Sequence, residues 1–312
     1  MSEMENETIV FHFNLTMFAD IGYYRYPAFV LCLLLFALIV FANLVIILII
    51  SRERALHEPM YIFIAFLSVN SLYGSSGFFP RFLMDLLADT HLIARPACFT
   101  QIYIICTYAS YEMMILGIMA YDRYVAVCHP LHYHSKMTSK TLWGLTAFAW
   151  LCPAFSLGMC LYLTIRLPLC GNNLVKVYCA LWNITKLSCV YTLINNIFGF
   201  LVTTNMLIIP LVYVLYTYFQ IILVCRRSSS EFKSKAFKTC LPHTISFVSY
   251  SLCLFFDVAL SRVNVEKLNP LLAVIFSLEF VIVPPILNPF VYGLRLPEIR
   301  KHIVSVTLLN ST

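Results

Sequence analysis

Charge is what this sequence has least of. Of its 312 residues only 12% are Asp, Glu, Lys or Arg and 61% are hydrophobic, whereas soluble domains carry roughly a quarter charged residues. That excludes an ordinary water-solvated domain, because apolar runs of this length are solvated by lipid. The net charge of +6 does not point to nucleic acid: the basic residues lie scattered between apolar runs and form no stripe or aromatic-interleaved patch. Also missing are HExxH, a glycine-rich phosphate loop and a GxSxG elbow. Eight histidines form no metal-ligand spacing, with His132 and His134 in a connection and His243 alone in an apolar run. No catalytic residue, metal or cofactor is therefore expected. Twelve cysteines include no CxxC pair. Cys32, Cys106, Cys152, Cys160, Cys225, Cys240 and Cys253 fall inside apolar runs as small core residues. Residues 1–26 carry Glu3, Glu5 and Glu7 and no apolar stretch preceded by positive charge, so no cleavable signal peptide is expected.

What is present is seven apolar runs, at 27–50, 59–82, 97–124, 141–164, 195–225, 236–260 and 268–292. Each can cross about 30 Å of hydrocarbon as a helix. The chain is expected to be an all-α membrane protein: an N-terminal segment over 1–26, a seven-transmembrane bundle over 27–292 and a tail over 293–312 with a short helix 8. Lys and Arg set the orientation. With the N-terminus outside, thirteen of the twenty-one fall on the inner side, from Arg52 to Lys301, as the positive-inside rule requires. The triplets at Asn6, Asn14 and Asn183 fit the same orientation, as N-glycosylation sequons on the outer side. So do Cys98, Cys170, Cys179 and Cys189, which fall outside, where disulfides persist.

Ionisable residues inside lipid are candidate functional sites. Glu112 either joins a polar network with Asn43, Ser71 and Asn288 or is a protonated, hydrogen-bonded carboxyl. Asp257 and Glu279 either face a watery vestibule or snorkel. Arg262 pairs with Asp257 or Glu266, or meets an anionic ligand from above. A channel or transporter would use such residues to relay ions. Seven spans without repeat halves or paired broken helices argue against that.

The third run ends at Asp122-Arg123-Tyr124, which alone reads as an interfacial anchor. The seventh contains Pro285-Ile286-Leu287-Asn288-Pro289-Phe290-Val291-Tyr292, placing a proline kink and an asparagine in lipid. With these go Pro59-Met60-Tyr61, the stretch Met119 to Cys128, Pro130-Leu131-His132-Tyr133, Thr217-Tyr218, and Lys235-Ala236-Phe237-Lys238-Thr239-Cys240 with His243. In this order the motifs resemble those of rhodopsin-like G-protein-coupled receptors, and more narrowly olfactory receptors, over nearly the whole chain. Asn70-Ser71-Leu72-Tyr73-Gly74 is most similar to fish-type members. The chain departs from the family at Ser71, where an aspartate is frequent, at Pro242 and at Ser251.

The resemblance implies a plasma-membrane receptor for a small-molecule odorant, coupled to a stimulatory heterotrimeric G protein and cAMP. A non-olfactory receptor of the same class is the alternative. It further implies the disulfides Cys98–Cys179 and Cys170–Cys189, one of three possible pairings of the four outer cysteines. The switch it implies comprises Asp122, Arg123, Tyr124, Tyr218, Asn288, Pro289 and Tyr292. From where the family binds, the ligand site is expected around Ile105, Ala109, Ser110, Val202, Met206, Leu254 and Val258, with Arg262 at the rim. Each of these side chains alone is equally compatible with ordinary bundle packing. Ile105 stands where amine receptors carry an aspartate, which disfavours a biogenic amine.

Overall fold

The computed structural model describes residues 11–18, 22–262, 270–296 and 298–301. Seven long helices account for most of it: α1 Arg25–Arg52, α2 Pro59–Leu87, α3 Arg95–Cys128, α4 Ser139–Ile165, α5 Leu193–Arg226, α6 Ser230–Arg262 and α7 Pro270–Arg295. Each expected span lies inside one of them apart from 268 and 269, which fall outside the described residues. Helices start where the chain chemistry allows. Pro59 and Pro96 sit in first turns, where a missing N–H costs no hydrogen bond, and the Thr138 hydroxyl caps α4 by accepting the Thr141 N–H.

α3 runs through the middle, packed against α2, α4, α5 and α6, while α1 lies against α2 and α7. Its apolar window is 72% buried, against 17–56% for the other spans. Outward faces of the peripheral helices, with Leu34, Phe41, Leu151, Phe155, Phe200 and Phe219, are exposed and apolar. On seven helices long and apolar enough to cross a membrane, surface of that kind and extent is covered by lipid.

Two proline-linked irregularities shape the bundle. α5 passes through a π turn at Thr204–Ile208 just before Pro210, and the Asn205 amide donates to the Leu201 carbonyl at 2.8 Å. Such a turn absorbs the hydrogen bond that proline cannot make. In α7, Pro289 has no N–H to give the Pro285 carbonyl, and Asn43 of α1 donates to that carbonyl at 2.9 Å. Asn43 thus satisfies a backbone acceptor that lipid could not.

The structure adds an element that the all-helical reading did not anticipate. A three-stranded sheet, ordered β2-β1-β3, joins β1 His12–Leu15, β2 Leu92–Ala94 and β3 Asn173–Leu174 at one end of the bundle. β1 pairs antiparallel with β2 and parallel with β3. Phe13 and Leu15 are fully buried, so the N-terminal segment is in part packed structure. Asn14 lies within β1 and donates to Asn173 Oδ1 at 3.3 Å. Asn183 is half-buried in a short helix at Leu181–Thr185, and Asn6 lies outside the described residues. Of the expected helix 8, residues 298–301 are described and helical.

Candidate functional site

Three clusters of polar residues are strung along α3. At the sheet end, Cys98 is disulfide-bonded to Cys179 and Cys170 to Cys189, the pairing that the resemblance implied. The Cys179 N–H also donates to Gln101 Oε1 at 3.0 Å. The α4–α5 connection is therefore pinned to α3 by a covalent bond and a hydrogen bond.

Near the middle, Glu112 is fully buried. Its Oε2 accepts the Asn70 amide of α2 at 2.8 Å and its Oε1 the Asn288 amide of α7 at 2.6 Å. Asn70 uses its second N–H on the Tyr108 carbonyl, at 3.1 Å. Of the network partners expected for Glu112, Asn288 is in place and the other two are not. Ser71 lies one residue, hence about 100° of helix, from the position that meets Glu112, and its hydroxyl has no hydrogen-bond partner among the described residues. Asn43 serves the α7 backbone instead.

At the far end, Asp122 is fully buried and holds Arg123 through both Nε, at 2.9 Å, and a terminal guanidinium nitrogen. Its other oxygen accepts the Tyr133 hydroxyl at 2.8 Å. Burial and the adjoining Asp122 push the Tyr133 phenol above its ordinary range, so it remains a donor at neutral pH. The carboxylate is thus shared between its neighbour and the connection after α3, an arrangement in which charge-assisted bonds are strong.

Nearly two turns back along α3, the Tyr218 hydroxyl of α5 meets His243 Nδ1 of α6, with the two rings stacked at 5.7 Å and 6°. His243 Nε2 lies 3.0 Å from the Leu116 carbonyl of α3. A carbonyl only accepts, so Nε2 carries a proton and donates. α3, α5 and α6 are joined in this way through one imidazole. Tyr292 of α7 is fully buried beside Ser246 of α6. Tyr124 turns instead to His129, 3.2 Å away. Pro289 acts through the carbonyl that it leaves for Asn43.

The expected ligand positions divide. Ile105, Ala109 and Ser110 are buried in the interior face of α3, and the Ala109 carbonyl accepts the Tyr250 hydroxyl of α6 at 2.6 Å. Val202 and Met206 pack with Cys160 and Leu157 of α4, so they line the α4–α5 seam rather than face α6. Leu254 is half-buried against the main core. Val258 is 42% exposed: the inner face of α6 runs through His243, Phe247, Tyr250, Cys253 and Asp257, and Val258 is one step beyond it. The side chain of Arg262 lies outside what is described, as does Glu266.

Asp257 does have a partner that sequence reasoning missed, Lys176 of the α4–α5 connection, at 3.0 Å. The Tyr178 hydroxyl donates to the same oxygen at 2.7 Å. Burial, reinforced by Asp257, holds the Tyr178 phenol well above its usual range. Glu279 is met by the Cys253 thiol at 3.6 Å.

A sequence profile of the olfactory receptor family matches residues 31–310. The olfactory receptor-like protein OLF4 of Canis lupus familiaris is 32% identical over 300 residues, covering 96% of each chain. Olfactory receptor 6N1 of Homo sapiens is 34% identical over 278 residues, or 88% of each chain. The crystal structure of squid rhodopsin is similar with a TM-score of 0.71, over 90% of this chain and 80% of that one, at 15% identity. At that identity the likeness concerns the fold alone: a bundle of seven membrane-spanning helices.

Proposed function

Because the chain belongs to the olfactory receptor family, we propose that it is an odorant receptor that signals through a stimulatory heterotrimeric G protein and cAMP. Membership makes it a multi-pass membrane protein and a signalling receptor, not an enzyme. The further proposal concerns its direction and its coupling. The sheet end, with the N-terminal segment 1–26, both disulfides and the sequons, faces outward, and the tail 293–312 with helix 8 faces the cytoplasm. Thirteen inward Lys and Arg residues support that orientation.

The observation that carries the coupling mechanism is the shared Asp122 carboxylate. In the resting state it holds Arg123 and is itself held by Tyr133. A small agonist bound toward the outer end, among α3, α5 and α6, favours the state in which α6 has swung outward. The His243 bonds to Tyr218 and Leu116 are what that movement must break. Arg123 then turns to the G protein, with Tyr218 and Tyr292 moving in to support it. The basic stretch from Arg226 to Lys238 borders the opening and also attracts anionic lipid.

The test is an odorant panel on cells expressing the full chain with a cAMP reporter, in parallel with cells lacking stimulatory α subunits. A response confined to the first line is expected. A response that survives without stimulatory α subunits would contradict the coupling. Antibody against an N-terminal tag should label intact cells; labelling only after permeabilisation would overturn the orientation.

A further inference from the structure

Lys176 is 2% exposed and ranks among the largest fully buried side chains of the molecule. An ammonium is buried only where a counter-charge and hydrogen-bond acceptors replace water. Lys176 has one of each in Asp257 of α6. Its Nζ also lies 5.4 Å from the centre of the Tyr178 ring, within the range of cation–π attraction. Tyr178 in turn donates to Asp257 and meets Phe78 of α2 edge-on at 6.0 Å. The following residue is the disulfide-bonded Cys179. The stretch from Lys176 to Cys179 is therefore strapped across the outer end of α2, α3 and α6, and both of its polar side chains converge on a single carboxylate oxygen.

The strap leaves something unsatisfied. An ammonium offers three donors, and among the described residues Asp257 is the only hydrogen-bond acceptor of Lys176. The Asp257 side chain is 18% exposed, so the pair borders accessible space. From this, and resting on the receptor reading above, we propose that Lys176 and Asp257 form the polar recognition element of the ligand site. Its ligand is a neutral molecule carrying an acceptor oxygen, such as an aldehyde, ketone or ester, which takes a free N–H of Lys176.

Charge decides the class. As a pair, Lys176 and Asp257 are neutral. A carboxylate ligand would place a second negative charge beside Asp257, and an ammonium ligand a second positive charge beside Lys176. Either extra charge stands uncompensated in a water-poor site, where that is costly. A hydrocarbon avoids the penalty but gains no bond. A neutral acceptor alone gains a charge-assisted bond without adding charge, worth about tenfold or more in affinity.

The experiment measures binding to the full chain in lipid nanodiscs by ligand-induced thermal stabilisation. Aldehydes, 2-ketones, carboxylic acids, primary amines and alkanes of four to ten carbons are compared on wild type, Lys176→Met and Asp257→Asn. Wild type should bind the best carbonyl compound at least about tenfold more tightly than the acid, amine or alkane of equal length. Lys176→Met should collapse that difference. Asp257→Asn leaves the cation uncompensated and should turn the preference to the acids, a gain that misfolding cannot imitate. Equal loss for every class in Lys176→Met, no acid gain in Asp257→Asn, or no carbonyl binding to wild type at any length would each overturn the proposal. G-protein nucleotide exchange is read separately. Carbonyl binding without exchange would contradict the receptor reading, and exchange without carbonyl preference would contradict the ligand class.

Discussion

Asn288 of α7 and Asn70 of α2 hold the two oxygens of one buried carboxyl, Glu112 of α3, at 2.6 and 2.8 Å. Three helices hang on that group, and Ser71 beside it takes no part. Asn70→Ala or Asn288→Ala should each destabilise the receptor by about 1–3 kcal/mol, as a buried acceptor loses its donor. Ser71→Ala should be near neutral. Thermal unfolding of the solubilised protein distinguishes them; equal losses at Ser71 and Asn70 would contradict the network.

Tyr133 restrains Asp122 from the side opposite Arg123. Removing its hydroxyl in Tyr133→Phe costs a bond to a charged group, about 1.5–3 kcal/mol, that only the resting arrangement makes. Ligand-independent signalling should therefore rise by about tenfold at equal surface level. A phenol raised in the folded state contributes stability that is present below its unfolded value near 10 and lost only as pH climbs through the folded value. The restraint should accordingly be constant from about pH 6 to 9, and a basal activity that climbs steeply across that window would count against it.

The Cys98–Cys179 bridge closes a loop with a sequence separation of 81. It also carries the strap that begins at Lys176. Loss of a bridge of this kind costs typically about 2–5 kcal/mol. Cys98→Ser should abolish surface delivery. Normal surface expression with an intact response would show that the bridge is dispensable.

α2 and α3 approach closely where Gly74 faces Tyr108 and Gly77 faces Ile104, since a Cβ at position 74 would press into the Tyr108 ring and one at position 77 into the Ile104 side chain. Gly74→Val should therefore cost about 1–3 kcal/mol by overpacking. A Cβ added at Gly144 of α4 would meet no neighbouring side chain or helix within 4 Å, and Gly144→Ala should be neutral or stabilising by about 0.5–1 kcal/mol from helix propensity. Melting temperatures of the two variants moving together would argue against this packing.

The bundle was legible in the sequence because lipid imposes it: a run that must satisfy every backbone group internally has few alternatives to a helix. The disulfide pairing came from family resemblance, and the structure joins those cysteines in that way; the Asp122–Arg123 end came from resemblance too, and the structure adds Tyr133 as the second partner of Asp122. Other features depended on helical phase or on long-range contact. One residue of phase separates Ser71 from Asn70 and Val258 from Asp257, too fine a difference to resolve by counting from motif landmarks. Lys176 and Tyr178 lie 81 and 79 positions from Asp257, and the loop that carries them has no periodicity to predict where it folds back. β1 was equally hidden, since a four-residue strand acquires its meaning only from β2 and β3. Lys176 left one usable signal: a lysine three residues before the disulfide-bonded Cys179, in a connection that must pass over the helix end carrying Asp257.

The central claim is that Arg123, released from Asp122, is the output of the molecule. It is tested most directly by Arg123→Ala, with surface level measured by N-terminal tag staining and coupling by agonist-stimulated cAMP in the same cells. Surface staining within about twofold of wild type and a response reduced at least about tenfold, within the usual range of coupling between sites, are expected. An undiminished response at equal surface level would contradict the account.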